Sequence, residues 1–137
     1  GMPWHAMLLW MSSTSFLPMQ AKEIPQSQFD DPIKVFLKGL NFRGSNFRET
    51  NLIGVNFKGS NLRSADFRFC FAPCANFNAA HLKSATFKNA NLHFASFVDA
   101  NLRCANFCAA DLSKAHWDEN TVWPNGIGRI KNTLEES

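Results

Sequence analysis

The sequence predicts an all-β solenoid: a parallel coil with four sides and 20 residues per turn. Three patterns carry this. A five-residue period has Leu or Phe at most of its centres, small residues dominate two places before the centre, and Phe and Leu alternate along the centres from Phe57 to Leu112.

From Val35 the 137-residue chain divides into eighteen units: VFLKG, LNFRG, SNFRE, TNLIG, VNFKG, SNLRS, ADFRF, CFAPC, ANFNA, AHLKS, ATFKN, ANLHF, ASFVD, ANLRC, ANFCA, ADLSK, AHWDE, NTVWP. The centre is Leu or Phe in fifteen of these, Ala72, Trp117 and Val122 being the exceptions, so the period is no accident of composition. Ala stands two places earlier at 65, 75, 80, 85, 90, 95, 100, 105, 110 and 115. A period of five fits neither regular element. On an α-helix it would spiral the large residues around every side. On a flat strand it would send successive centres to opposite faces. A chain that bends after each short extended segment solves both problems, with the centre and the residue two before it inward and the centre's immediate neighbours outward.

The alternation sets the number of sides. Three segments per turn would stack Phe on Leu, whereas four stack like on like. The Phe columns are then Phe57, Phe77, Phe97, Trp117 and, opposite, Phe47, Phe67, Phe87, Phe107. Between them lie Leu62, Leu82, Leu102 and Leu52, Ala72, Leu92, Leu112. With coils about 4.8 Å apart, eighteen units make about four and a half coils, a rod about 22 Å long.

The units ANFNA, ANLHF, ANLRC, ANFCA and ADLSK, with SNLRS and ADFRF close behind, resemble the repeat of the pentapeptide-repeat family, Ala-Asp/Asn-Leu/Phe-x-x. The resemblance covers roughly Val35 to Pro124. It implies a right-handed quadrilateral β-helix, in agreement with the square coil, and implies little about activity. Some members resemble duplex DNA in shape and negative charge and so bind topoisomerases. Here the sign opposes that role, since residues 35–117 hold ten basic and four acidic residues (Glu49, Asp66, Asp99, Asp111), a charge of +6.

Outside the repeat, residues 1–34 and 125–137 are expected to cover the open ends of the coil, which would otherwise present unpaired backbone groups. At the carboxyl end, Trp117, Val122 and Trp123 with the turn Pro124-Asn125-Gly126 are the candidates. At the amino end, Trp4, Leu8, Leu9, Trp10 and Phe16 are, and either end could instead form a dimer. Gly1 reads as a residue left by a tag. The apolar stretch Ala6 to Met11 is somewhat signal-like, but only His5 precedes it and Ser12 to Ser15 break it early. No apolar run approaches the roughly 18 residues that cross a bilayer.

Cys70 and Cys74, and Cys104 and Cys108, have a spacing that is not the Cys-x-x-Cys of zinc or redox sites. Each pair would lie about 13 Å apart along an extended segment, beyond the roughly 7 Å that a disulfide allows. Free thiols and a cytoplasmic location follow as the expectation, with a periplasmic or other exported location if the amino-terminal segment is a signal.

Function classes follow from the outward positions. Arg43, Arg63, Lys83 and Arg103 fall on one face, Arg48, Arg68 and Lys88 on the next, and Lys38 and Lys58 begin another. These columns either bind a polyanion such as nucleic acid or shield the coil from lateral association. The unit CFAPC departs from the repeat, with Ala72 at the centre, Phe71 outward and Pro73 in place of Arg or Lys, so a kink or bulge is expected there. Together with Ile53, Phe69 and Phe94 it predicts an exposed apolar patch, covered by residues 3–34 or used as an interface for another protein or a second copy. Catalysis has little support. His5, His81, His93 and His116 are scattered, His93 with Cys74 is the one pair that could meet, and no phosphate loop is present. The expectation is a non-enzymatic scaffold for protein contacts with no cofactor, the alternative being a nucleic-acid-binding or topoisomerase-interacting regulator.

Overall fold

A computed structural model describes residues 37 and 39–125. The chain winds as a parallel coil in which each side contributes one bridge to the next turn. The bridges step by 20 residues, from Asn41↔Asn61 and Asn46↔Asp66 through Ser96↔His116. Four sides recur, named here by their inward centres. The first holds Phe42, Leu62, Leu82 and Leu102, the second Phe47, Phe67, Phe87 and Phe107. The third holds Leu52, Ala72, Leu92 and Leu112, and the fourth Leu37, Phe57, Phe77, Phe97 and Trp117.

Each five-residue unit repeats one set of hydrogen bonds. The N–H of the centre donates to the coil that follows, as Phe47 N does to Asp66 O at 2.7 Å, and the residue before the centre donates to the coil that precedes, as Asp66 N does to Ser45 O at 2.9 Å. A β-turn then closes from the centre's carbonyl to the N–H three residues on (Ser60 N to Phe57 O, 3.0 Å). Its third residue is left-handed. Gly39, Gly44, Gly54 and Gly59 hold that place with φ of 63–72°, and twelve non-glycine residues, Glu49 to Lys114, hold it with φ of 57–63°. Before most turns a side-chain oxygen accepts the N–H two residues on, as Asn56 Oδ1 does from Lys58 N at 2.9 Å. This explains the frequency of Asn before the centre, because an Asx turn sets up the bend.

The interior is filled by rings. Phe42, Phe47, Phe57, Phe67, Phe77, Phe87 and Phe97 are fully buried. In the second-face column, Phe47–Phe67, Phe67–Phe87 and Phe87–Phe107 stack at 4.9, 4.8 and 5.1 Å with planes 2–6° apart. The opposite column stacks Phe57–Phe77–Phe97 at 5.4 and 5.3 Å. The two columns meet edge to face, at 5.5 Å for Phe67–Phe77. Leu62, Leu82, Leu92, Leu102 and Leu112 fill the other two sides, all buried. Ala two places before the centre leaves room for them, and a fully buried Phe contributes about 1.5–3 kcal/mol by burial alone.

Two expectations are corrected. The last bridge, Asn101↔Val122, spans 21 residues, so one extra residue enters the turn after Trp117. Asp118 organises that turn, its Oδ1 accepting from Asp99 N, Asn120 N and Thr121 Oγ1 at 3.0–3.1 Å. The insertion shifts the unit by one. Thr121 is buried, Val122 is 43% exposed, and Trp123 rather than Trp117 lies over Phe97 and Phe107, at 6.1 and 5.9 Å. Trp117 packs edge-on against Trp123 at 5.9 Å.

The second correction concerns Pro73, where no bulge forms. Ala72 N and Cys74 N donate to Asn91 O and His93 O at 2.8 Å, and Pro73 O accepts from Gly54 N at 2.9 Å, as in neighbouring coils. The missing N–H is the one that elsewhere meets only a side chain, so the backbone ladder loses nothing.

Candidate functional site

The apolar residues singled out by sequence lie across three successive coils of the third face and its two corners. Ile53, Phe69, Phe71 and Phe94 are 40, 47, 46 and 46% exposed. Phe69 and Phe94 occupy left-handed corner positions, both with φ 59°. Such a position favours Gly or Asn and costs a side-chain-bearing residue about 1–2 kcal/mol. Nearly half of each Phe stays in water there, although Phe69 lies under Arg48 and the Phe94 ring stands 4.3 Å from that of His93. Phe71 stands where Asn would otherwise hold the turn, and Ile53, Pro73 and His93 stack in one column between the corners, joined through Gly54 N–Pro73 O and Cys74 N–His93 O. The proposed cover, residues 3–34, lies outside the described residues, as do Lys38, His5 and the chain beyond Asn125.

Basic residues border this surface on the second face. Arg48 sits 5.6 Å from the Phe69 ring centroid, a cation–π contact. Arg68 grips Asp66 through Nε and Nη2 at 2.7–3.2 Å, and that guanidinium holds the Asp66 carboxyl below the usual carboxylate range. Lys88 is exposed in the same column. Arg43, Arg63, Lys83 and Arg103 are exposed on the first face. The basic surface read from sequence is therefore two columns of different character, one partly neutralised and one with no ion pair among the described residues.

His93 does not turn to the Cys74 thiol. Its Nδ1 lies 2.7 Å from Ser113 Oγ, and Ser113 Oγ lies 2.6 Å from Asp111 Oδ1. With Ser113 donating to Asp111, the His93 Nδ1–H donates to Ser113. The Ser113 hydrogen bonds hold the Asp111 carboxyl below its usual range. The order is wrong for a nucleophile and base, since the hydroxyl proton is committed to the carboxylate and not offered to the imidazole. Sequence reading missed this chain because His93 and Ser113 meet across adjacent coils at a spacing of 20, and stacking the third-face columns would have found them. The four cysteines are free, with Cys70 buried and Cys74, Cys104 and Cys108 exposed. Burial pushes the Cys70 thiol up to about 12. A cavity of about 450 Å³ opens beside Arg103, Cys104, Val122 and Trp123, and among the described residues no His, Asp or Glu lines it.

With the geometry in hand, the comparisons with known proteins are direct. Residues 36–68 and 75–113, more than half of the chain, match the family described as pentapeptide repeats, in eight copies. The chain belongs to the pentapeptide-repeat family, whose fold is the right-handed quadrilateral β-helix. Among solved structures it is similar to a pentapeptide repeat protein of the Arabidopsis thaliana thylakoid lumen, at 24% identity over 61% of this chain and 62% of that one, with a TM-score of 0.55. It is also similar to Rfr23 of the cyanobacterium Cyanothece 51142, at 27% identity over 61% and 60% of the two chains, with a TM-score of 0.46. A pentapeptide repeat protein of Nostoc PCC 7120 is 33% identical over 66% of this chain and 79% of its own, with a TM-score of 0.35. The matched stretch spans about three fifths of the first two relatives. No curated protein matches the chain. Among the described residues no helix is long and apolar enough to cross a membrane.

Proposed function

We propose that this protein is a non-enzymatic scaffold of about four and a half coils, closed at its ends by residues 1–34 and 125–137, that docks a protein partner on its third face. The observation that carries this reading is the placement of Phe69 and Phe94 at exposed left-handed corners. Both positions carry backbone strain and leave nearly half of an aromatic side chain in water, and a partner that covers those rings would offset both costs. Arg48 and Lys88 beside the apolar surface suit a partner that presents apolar side chains rimmed by acidic ones. The exposed thiols fit a reducing compartment.

A photo-crosslinking amino acid at position 71, with position 106 on the second face as control, tests the reading in cells of the source organism. One discrete adduct at 71, absent at 106 and lost when Phe69 and Phe94 become Asn, is the expected result. Equal labelling at both positions, or none at 71, counts against it. An adduct with the mass of two copies would make the partner a second copy of this chain.

A further inference from the structure

The first face carries an unneutralised ladder of cations that the third-face reading does not use. Register is fixed by the backbone: Gly44 N donates to Arg63 O at 2.8 Å, Ser64 N to Lys83 O at 2.9 Å and Ser84 N to Arg103 O at 2.9 Å. One cation therefore recurs on each coil, about 4.8 Å from the next, over about 14 Å. Residues 41–44, 61–64, 81–84 and 101–104 contain no Asp or Glu. The second face contrasts with this, since Arg68 is paired with Asp66 and Arg48 lies over Phe69. Like charges stacked on neighbouring strands oppose folding. Shielding the coil from lateral association would be served as well by mixed charges.

We propose that the first face binds the phosphate backbone of double-stranded nucleic acid without reading its sequence. The column beside the cations holds Asn41, Asn61, His81 and Asn101, and the corner carries Gly44, Ser64, Ser84 and Cys104. Amides and hydroxyls of this kind donate to phosphate oxygens. No Phe or Trp stands among them to stack an unpaired base, which disfavours a single strand. A duplex presents one charge per about 1.7 Å along its axis, the density that a closely spaced row of cations meets best. Arg63 is already oriented, its Nη1 donating to Asn61 Oδ1 at 3.3 Å, without losing its charge to a carboxylate.

The test is a fluorescence anisotropy titration of a labelled duplex of about 20 base pairs with the full chain, between about 50 and 200 mM salt. Four phosphate contacts predict a slope of about −3.6 in log K against log salt, a fall of about 100-fold over that range. Arg63→Gln with Lys83→Gln reduces the slope by about 2 units, and Arg48→Gln with Lys88→Gln leaves it unchanged. A duplex of scrambled sequence binds equally, and a single strand of the same length binds more weakly. The proposal is overturned by absence of binding at the lowest salt, by a slope that the first-face pair does not change, by equal loss in the second-face pair, or by tighter binding to the single strand. All four substitutions are at solvent-facing positions, and unchanged unfolding midpoints show that a lost slope is not a lost fold.

Discussion

Phe71 and Pro73 remove the two halves of one hydrogen bond. On the coils on either side a side chain before the centre accepts the N–H two residues on, as Asn51 does for Ile53 at 3.2 Å and Asn91 for His93 at 3.0 Å. Phe71 has no acceptor and Pro73 has no donor, so neither leaves a polar group stranded. The backbone passes through unchanged while the outward surface becomes apolar.

A double-mutant cycle reads this pairing. Phe71→Asn alone gains no bond, and Pro73→Lys alone adds a donor without its side-chain acceptor. Together they restore the turn, so the pair should be more stable than the sum of the singles by about 0.5–1.5 kcal/mol in denaturant unfolding. Strict additivity would mean that the two positions are independent.

The corners make a second prediction, opposite in sign at two sites. A Cβ at Gly54 would meet nothing within 4 Å, so Gly54→Ala costs only backbone strain at φ 63°. That strain is about 1–2 kcal/mol. Ala109, exposed at φ 57°, is the reverse case. Ala109→Gly should stabilise by up to about 1 kcal/mol, the relief being reduced by the greater freedom of glycine in the unfolded chain. Equilibrium unfolding in urea measures both.

Core truncation should be far more costly. Phe87 is fully buried and stacked on Phe67 and Phe107 at 4.8 and 5.1 Å. Phe87→Ala should lose about 3–5 kcal/mol, enough to unfold a marginal domain. A loss under 1 kcal/mol would contradict a ring-filled interior.

Titration gives a further set of outcomes. Arg68 lowers Asp66, Ser113 lowers Asp111, and the Asp99 N–H lowers Asp118, each from the ordinary value of 3.8. Carboxylates held below their unfolded values stabilise the fold above that pH. Stability should therefore fall as pH drops through and below 3.8. Cys70 acts at the other end, rising from 9.0 to about 12. Its thiol is neutral in the fold and ionises in the unfolded chain, so its contribution falls as pH climbs from 9.0 towards 12. At neutral pH a thiol reagent should label Cys74, Cys104 and Cys108 rapidly and Cys70 only on unfolding, whereas four equally fast thiols would place Cys70 at the surface.

Periodicity made the square coil, its Phe columns and the outward apolar residues legible, because one residue type recurs at each inward place. Trp123 is legible as a cap residue, but its inward place over Phe97 and Phe107 is hidden by a single inserted residue: Val122 keeps the count of five, and only the Asp118 turn reveals the shift. The left-handed corners had a signal in Gly39, Gly44, Gly54 and Gly59, which then gives way to twelve other residues and fades. The His93–Ser113 contact becomes legible only when residues 20 apart are stacked, whereas the neutralisation of Arg68 by Asp66 depends on side-chain placement, which a repeat in sequence does not specify. Pro73 signals a bulge in the sequence because it lacks a donor, but the acceptor that such a donor would meet is a side chain and not the backbone ladder.

If the third-face aromatics serve contact and not folding, the fold does without them. Denaturant unfolding of the variant Phe69→Asn, Phe71→Asn, Phe94→Asn measures this. Asn accepts the left-handed corner and carries no exposed apolar surface, so stability equal to or above that of the parent chain is expected. A loss of more than about 2 kcal/mol would contradict it, because side chains that stabilise by that much are packed within the fold, under residues 3–34 or otherwise.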